Sequence, residues 1–119
     1  MKDSILLTKS KAFALRVVRL YKYLRERKES VIAKQMLRSG TSIGANIAES
    51  RYAQSKTDFA SKLQIALKEA AETEYWLDLL RDSELVEPSP AFDSLFADCT
   101  ELITLLTASV KTTKGSWQR

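Results

Sequence analysis

The chain of 119 residues has no histidine and a single cysteine, and it contains only 3 glycines and 2 prolines. Without histidine, the Glu-x-x-His pairs that hold two metal ions inside a helical bundle cannot form. Histidine-based zinc sites and a histidine general base are excluded for the same reason. Cys99 has no partner for an internal disulfide bond, and it falls among apolar residues at helical spacing, so we expect a small buried side chain. We therefore predict a protein without metal, cofactor or catalytic residues.

Long apolar runs are also missing. Near the N-terminus only residues 5–7 are consecutively apolar, which is shorter than the core of about 7 to 15 residues in a signal peptide. No run approaches the roughly 18 apolar residues that a membrane span needs. We therefore expect a soluble, cytoplasmic protein with no membrane contact.

The residues that are present in quantity favour α-helix. Leu, Ala, Lys and Glu are abundant, and 45% of the chain is hydrophobic, which is enough for the core of one domain. The apolar spacing predicts a first helix over residues 10–28 and a second from about Val31. A third helix is expected after Ser55, because Ser55 and Asp58 have the form of a capping box.

A fourth helix is predicted after the break at Pro88. Ser89 followed by Pro90 is typical of a helix start, and the apolar spacing continues to about Lys111. Four amphipathic helices with short connections predict an all-α, up-down-up-down four-helix bundle. The whole chain, residues 1–119, is then one domain, with residues 112–119 as a flexible tail.

The second helix contains the segment RSGTSIGANIAES, which is rich in small residues. Gly40 lies on its apolar face and Gly44 beside it, although a glycine inside a helix costs about 1 kcal/mol relative to alanine. We expect the missing side chains to let a neighbouring helix come close, and a break in the helix is the alternative. A phosphate-binding loop does not fit, because such a loop follows a buried strand and continues with lysine and Ser or Thr.

A second apolar group on the third helix lies outside its core-facing stripe. Ile65, Trp76 and Leu79 are about 100° to 160° from the centre of that stripe, and Glu69 and Glu72 share their side. Large apolar residues in such places are typical of subunit interfaces. We therefore predict a homo-oligomer interface at these five residues, with Trp76 resting on a loop or on the tail as the alternative. An enzyme would need Glu69 and Glu72 as an acid–base pair, but surface or interface charge explains them more simply.

Positive charge is concentrated in the first half of the chain. Residues 1–56 contain 13 Lys and Arg against 4 Asp and Glu, whereas residues 57–119 contain 6 against 11. One interpretation is a basic face on the first helix that binds a polyanion through Arg16, Arg19, Lys22 and Arg25. The alternative is that acidic helices of the same bundle, or of adjacent subunits, lie beside the basic ones and neutralise them.

Two segments carry a family resemblance: LRSGTSIGANIAES in the second helix and SKTDFASKLQIALKEAAETEYWLDLL in the third. They resemble the four-helix-bundle proteins encoded within intervening sequences of bacterial large-subunit rRNA genes, with similarity from about Phe13 to about Leu106. The resemblance implies a ring-like homopentamer. Such a pentamer is similar to the accessory variability protein of diversity-generating retroelements. That relative engages nucleic acid and a reverse transcriptase through a basic surface. The family's Asn-Ile-Ala-Glu segment is commonly followed by glycine, where this chain has Ser50.

From these observations we expect a non-enzymatic, homo-oligomeric binding module that contacts nucleic acid through its basic face, with RNA favoured and DNA as the alternative. No base-reading motif is recognisable, so we expect electrostatic recognition without sequence specificity. The rival hypothesis is a structural adaptor that binds another protein and no nucleic acid.

Overall fold

The computed structural model describes residues 2–117, with side chains for residues 5–113. Within that range the chain forms four α-helices and no strand. Helix α1 covers Lys2–Glu26, α2 covers Val31–Ser50, α3 covers Lys56–Asp82 and α4 covers Pro90–Trp117. The expected all-α, four-helix architecture is therefore confirmed.

Helix α1 begins earlier than the apolar pattern predicted. It starts at Lys2 rather than near Ser10. The reason is Leu6, which lies seven residues before Phe13, on the same face of the helix, and is 5% exposed in the core. The first helical turns are thus held to the bundle by the same stripe as the rest of α1.

Helix α4 continues beyond the predicted end at Lys111 and reaches Trp117. Val110 is buried, and the hydroxyls of Thr112 and Thr113 donate to the carbonyls of residues 108 and 109, four positions earlier. The segment expected to be a tail therefore begins as regular helix. Its last residues, 118 and 119, lie outside the described part of the chain.

Successive helices are antiparallel neighbours, and α1 closes the bundle against α4. Between α2 and α3, for example, Arg38 pairs with Glu72 while the later Glu49 pairs with the earlier Lys62. The up-down-up-down order expected from the short connections is the observed one. Because α1 and α3 run in the same direction, their C-terminal ends lie at the same end of the molecule.

All four helices contribute to one continuous core. Its largest fully buried side chains are Phe13, Val17, Leu24, Met36, Ile43, Ile47, Thr73, Leu77, Leu80, Cys99, Leu102 and Leu106. The polar exception, Thr73, is satisfied, because its hydroxyl lies 2.8 Å from the hydroxyl of the buried Ser39. Among the described side chains, no buried nitrogen or oxygen atom lacks a hydrogen-bond partner, as expected of a well-packed interior.

The two glycines of α2 lie where α1 crosses closest. A Cβ atom built on Gly40 would come within 2.9 Å of Val17 Cγ1, and one on Gly44 within 3.2 Å of Ser10 Oγ. Helix α2 is continuous through both positions. The prediction of close approach is therefore confirmed, and the alternative of a helix break is wrong.

The predicted caps of α3 and α4 are both present. The Ser55 hydroxyl accepts a hydrogen bond from the backbone N–H of Asp58 at 3.0 Å. The return bond differs from a standard capping box, because the Asp58 carboxylate accepts from the N–H of Gln54 at 3.1 Å rather than from that of Ser55. At α4, the Ser89 hydroxyl accepts from the N–H of Phe92 at 3.1 Å.

Candidate nucleic-acid interface

The four basic residues predicted to bind nucleic acid wind halfway around α1. Arg16, Arg19, Lys22 and Arg25 follow one another at intervals of three, so each lies about 60° further around the helix than the one before. Arg16 and Arg25 consequently face opposite sides. The structure does not bring all four into one patch, so the neighbours of each side chain decide whether that side chain is available to a partner.

Arg16 is held by α4. One of its terminal nitrogens lies 2.6 Å from the Asp98 carboxylate and 3.1 Å from the Ser94 hydroxyl, and the other donates to the carbonyl of Ala91 at 2.9 Å. A guanidinium has five N–H groups in a fixed plane, so three acceptors within the chain occupy much of its capacity. The first role of Arg16 is therefore to join α1 to α4.

Arg19, Lys22 and Arg25 are exposed, and none forms an ion pair with another described residue. Lys11 lies two turns before Arg19 on the outward side of the helix, and it is exposed as well. These side chains form a basic strip on the solvent side of α1, where Glu26 is the acidic neighbour and no ion pair is formed among the described residues. The term "outer strip" is used below for Lys11, Arg19, Lys22 and Arg25.

Acidic residues of a neighbouring helix do pair with basic residues of α1, as the alternative interpretation expected, but on the other side of α1. There Lys9 pairs with Glu101 of α4 at 3.2 Å, as Arg16 pairs with Asp98. Among the described residues, the cations of α1 are thus paired along the α4 side and not paired along the outer strip. The sequence contains both sets of charges, but only the packing of the helices separates them.

Two tyrosine–arginine pairs extend the basic surface and were not predicted. The Arg25 guanidinium lies 5.6 Å from the centre of the Tyr21 ring, and that of Arg27 lies 4.3 Å from the centre of the Tyr23 ring. Contacts of this length are cation–π interactions, which hold a guanidinium over an aromatic face. The sequence signal was available, because a spacing of four residues places both members of a pair on one side of a helix.

A groove of about 380 Å³ runs beside Arg16 and Arg19, between the second half of α1 and the turn from α3 to α4. It is lined by Arg16, Arg19, Leu20, Tyr23, Val86, Glu87, Pro88, Ser89, Ala91, Phe92 and Leu95. Its floor is mainly apolar and its rim carries charges of both signs. Its two walls are about 70 residues apart in the chain, so no local pattern indicates it.

Three of the five residues predicted to form a subunit interface belong to one hydrogen-bond network that Arg38 holds together. The guanidinium of Arg38, on α2, lies 2.7 Å from the Glu69 carboxylate and 2.5 Å from that of Glu72. The Glu72 carboxylate also accepts the indole N–H of Trp76 at 2.9 Å. This network fixes the orientation of the Trp76 ring at the edge of the α2–α3 contact.

The same network shifts two pKa values. Hydrogen bonds from Arg38, and then from Trp76, hold the pKa of Glu72 below its ordinary value. The two carboxylates, Glu72 first, raise the pKa of Arg38 in turn. Both shifts favour the charged forms, so the bridge is ionised at neutral pH.

The apolar residues of the predicted subunit interface are exposed to solvent to different degrees. Ile65 is 40% exposed, whereas Leu79 and Trp76 are half-buried and Trp76 packs partly on the core. The neighbouring Tyr75 is 59% exposed, and its ring meets that of Trp76 edge to face with 5.1 Å between centres. The α3 side thus offers an apolar strip beside a charge-compensated one.

Elsewhere the described residues offer little reactive chemistry. They contain no cluster of three or more Cys, Asp and Glu side chains that could hold a metal ion. Cys99 is buried, and burial raises the pKa of its thiol to about 12, so the thiol is neutral at physiological pH. None of the described helices combines the length and apolar character needed to cross a lipid bilayer.

The four helices and their single core define a small four-helix-bundle protein. The sequence profile of the 23S rRNA-intervening sequence protein family matches residues 2–108. The chain therefore belongs to that family.

A crystal structure at 1.70 Å of a Bacteroides thetaiotaomicron protein, described as a member of the S23 ribosomal protein family with unknown function, is similar to this chain. The two share 54% sequence identity over 93% of this chain and 99% of the other, with a TM-score of 0.88. No functionally curated protein matches the sequence. The comparisons thus agree with the family resemblance and leave the function to be argued from the chain itself.

Proposed function

We propose that this protein is a non-enzymatic, homo-oligomeric module that binds nucleic acid, RNA in particular, in the cytoplasm. The observation that carries the proposal is the difference between the two sides of α1. Lys9 and Arg16 are paired with α4, whereas the outer strip has exposed cations without a partner among the described residues. Such a strip attracts the phosphates of a nucleic acid of any base sequence, and binding releases the counterions of those phosphates.

The chemistry of the outer strip supports backbone contact rather than base reading. Arg19 and Lys22 are long, exposed side chains that present only N–H donors, which suit phosphate oxygens. Tyr21 and Tyr23 hold Arg25 and Arg27 over their rings, which restricts how far these two side chains spread. Recognition would be mainly electrostatic, and Arg16 would contribute least because α4 already occupies it.

Self-association would use the α3 side, with Ile65, Trp76 and Leu79 as the apolar part of the contact. Arg38 pairs with both Glu69 and Glu72 within the subunit and offsets one of their two negative charges, which lowers their repulsion of a neighbouring copy. The family resemblance favours a ring-like pentamer. A ring would present several outer strips at once, and binding through several weak sites raises the overall affinity.

The proposed self-association is tested by Ile65→Asp, with the mass followed by light scattering. A buried carboxylate in an apolar contact is costly, so the variant should form smaller particles than the wild type. Tyr52→Asp is the matched control, because Tyr52 is 83% exposed in the turn before α3 and should tolerate the change. A wild-type monomer, or identical masses for the Ile65 variant and the wild type, would overturn this part of the proposal.

The nucleic-acid part is tested by binding of the purified protein to unrelated single- and double-stranded RNA and DNA over a salt series. We expect binding in the micromolar range at low salt that weakens steeply as salt rises. Tighter binding to RNA than to DNA would support the stated preference. No binding at low salt by an intact oligomer would contradict the proposal.

The second candidate is a structural adaptor for another protein. The observation that favours it is the pairing of Lys9 and Arg16 with acidic residues of α4, which already neutralises part of the basic helix. In an adaptor, charge reversal at Arg19 or Lys22 would disturb assembly or partner capture and leave nucleic-acid binding weak throughout. The two candidates therefore differ in which property responds to the same substitutions.

A further inference from the structure

The two turns at one end of the bundle terminate their helices in the same unusual way. After α1, the N–H of Lys28 bonds to the carbonyl of Arg25 and that of Glu29 to the carbonyl of Leu24, both at 2.9 Å. This pair of bonds is a Schellman motif, whose residue in the left-handed conformation is usually glycine. Here that residue is Lys28, with φ of 67°.

After α3 the same motif holds a residue of opposite charge. The N–H of Glu84 bonds to the carbonyl of Arg81 at 3.1 Å and that of Leu85 to the carbonyl of Leu80 at 3.2 Å. Glu84 has φ of 62°. A non-glycine residue in this conformation is strained, and such strain is an observation from which a function can be inferred. Each turn thus retains a charged side chain where glycine would be easier.

The charges around these positions have opposite signs and face solvent. The basic turn carries Arg25, Arg27, Lys28 and Lys34, with Glu26 and Glu29 as its acids. The acidic turn carries Asp82, Glu84, Glu87 and Asp93, with Arg81, which pairs with Asp78 and Asp82, as its cation. Neither Lys28 nor Glu84 forms an ion pair with another described residue, and both are exposed. The two turns therefore lie at the same end of the bundle without neutralising each other.

Each turn also exposes one large apolar side chain. Val31, at the start of α2, is 75% exposed, and Leu85, next to Glu84, is 38% exposed. One apolar contact and one charge are therefore available on each turn. The two turns join different pairs of helices, α1 to α2 and α3 to α4. They therefore occupy opposite edges of the end face, which is the end of the bundle where α1 and α3 terminate.

We propose that two copies of this chain pair end to end through these turns. A two-fold axis perpendicular to the bundle, passing between the two turns, places the basic turn of each copy against the acidic turn of the other. Each basic turn, with Lys28 and Val31, then meets the acidic turn of the other copy, with Glu84 and Leu85, and this contact occurs twice, which is the self-complementary pattern of a two-fold interface. The contact goes beyond the proposed function, because it requires neither nucleic acid nor the α3 side.

The size of the end face makes this contact weak and reversible. The bundle measures 51 × 21 × 21 Å, so its end covers about 440 Å² on each copy, less than the roughly 800 Å² per partner of a stable interface. Exposed ion pairs are also screened by salt. If the chain forms rings, several such contacts would act together and pair the rings more tightly.

The test is the mass of the full chain, by sedimentation and light scattering, over a range of concentrations at low and high salt. We expect the mass of the wild-type particle to double at low salt, whether that particle is a single chain or a ring. Lys28→Glu and Glu84→Lys each place like charges in contact twice, so each should weaken the pairing about tenfold or more. Mixing the two variants should restore it, because the reversed charge at position 28 of one meets the reversed charge at position 84 of the other.

Glu84→Gly is the control for folding, because glycine suits the left-handed backbone and removes only the charge. It should keep the helical circular dichroism of the wild type and still pair more weakly. A wild-type mass independent of salt, or single variants that pair as the wild type does, would overturn the inference, and so would a mixture that fails to pair. RNA binding by the same proteins is read separately, so failure of the pairing and failure of nucleic-acid binding are distinguishable.

Discussion

Helix α1 meets its two neighbours by different physical means. Against α2 the contact is close and apolar, with Val17 lying where Gly40 has no side chain. Against α4 the helices touch less, and ion pairs and hydrogen bonds from Arg16 reinforce the core that the two helices share. One side of α1 is thus fixed mainly by shape and the other partly by charge. The third side, the outer strip, is fixed by neither.

This difference separates, along one helix, the residues that stabilise the bundle from those to which the proposed function assigns binding. Buried shape complementarity is sensitive to a single methyl group, whereas an exposed ion pair contributes about 1 kcal/mol or less. Side chains that support neither contact are the ones available to a partner. Substitutions on the three sides should therefore produce three distinct results.

The largest effect is expected where α1 and α2 cross. Gly40→Val should lower the free energy of unfolding by about 3 kcal/mol, because even the first added carbon lies 2.9 Å from the side chain of Val17. Chemical denaturation measures this loss. Val17→Ala, which itself leaves a cavity, should recover part of the stability when combined with Gly40→Val.

Gly44 provides the matched comparison within the same helix. Gly44→Ala should change the free energy of unfolding by less than about 1 kcal/mol in either direction, because the higher helix propensity of alanine offsets a small displacement of Ser10. Equal destabilisation at positions 40 and 44 would show that the close contact at Val17 is not the cause.

A smaller loss is expected on the α4 side. Arg16→Ala removes the ion pair with Asp98 and the bond to the carbonyl of Ala91, so we expect unfolding to become easier by about 1 kcal/mol. Arg19→Ala, on the outer strip, should stay within about 0.5 kcal/mol of the wild type. The contrast fails if both variants unfold at the same denaturant concentration.

The smallest effect concerns the charged bridge between α2 and α3. Because the pKa of Glu72 is lower in the folded chain than in the unfolded one, its ionised form adds stability above the ordinary carboxyl range, and this stability is lost as pH falls through the folded pKa. Glu72→Gln should remove that part of the acid response, about 0.5–1 kcal/mol, as the pH falls below the ordinary carboxyl range. Parallel stability curves for the variant and the wild type would contradict the assignment.

The helices and their close apolar contacts could be predicted from the sequence, because the spacing and size of the residues determine them. The spacing of apolar residues predicted four helices, and the small residues around Gly40 and Gly44 predicted a close crossing. The early start of α1 was missed because the single Leu6 carries it, and the continuation of α4 was missed because threonines are weak helix formers.

Which charged residues form ion pairs could not be predicted in the same way. Arg16 and Arg19 are equally basic in the sequence, and only the position of Asp98 on a helix 82 residues away distinguishes them. Glu69 and Glu72 were likewise grouped with Trp76 from their spacing, but their ion pairs with Arg38 depend on how α2 packs against α3. Local patterns identify which charges exist, and tertiary packing decides which remain available.

The most direct test of the account compares two double variants that remove the same charge from α1. Arg19→Ala with Lys22→Ala removes two residues of the outer strip, whereas Lys9→Ala with Arg16→Ala removes the two that pair with α4. The measurement is the slope of log affinity for a single-stranded RNA against log salt concentration. We predict that the first variant lowers this slope by about 1.4, at about 0.7 for each lost phosphate contact, and that the second leaves it close to the wild type. Equal slopes for the two variants would contradict the claim that the outer strip binds the nucleic acid.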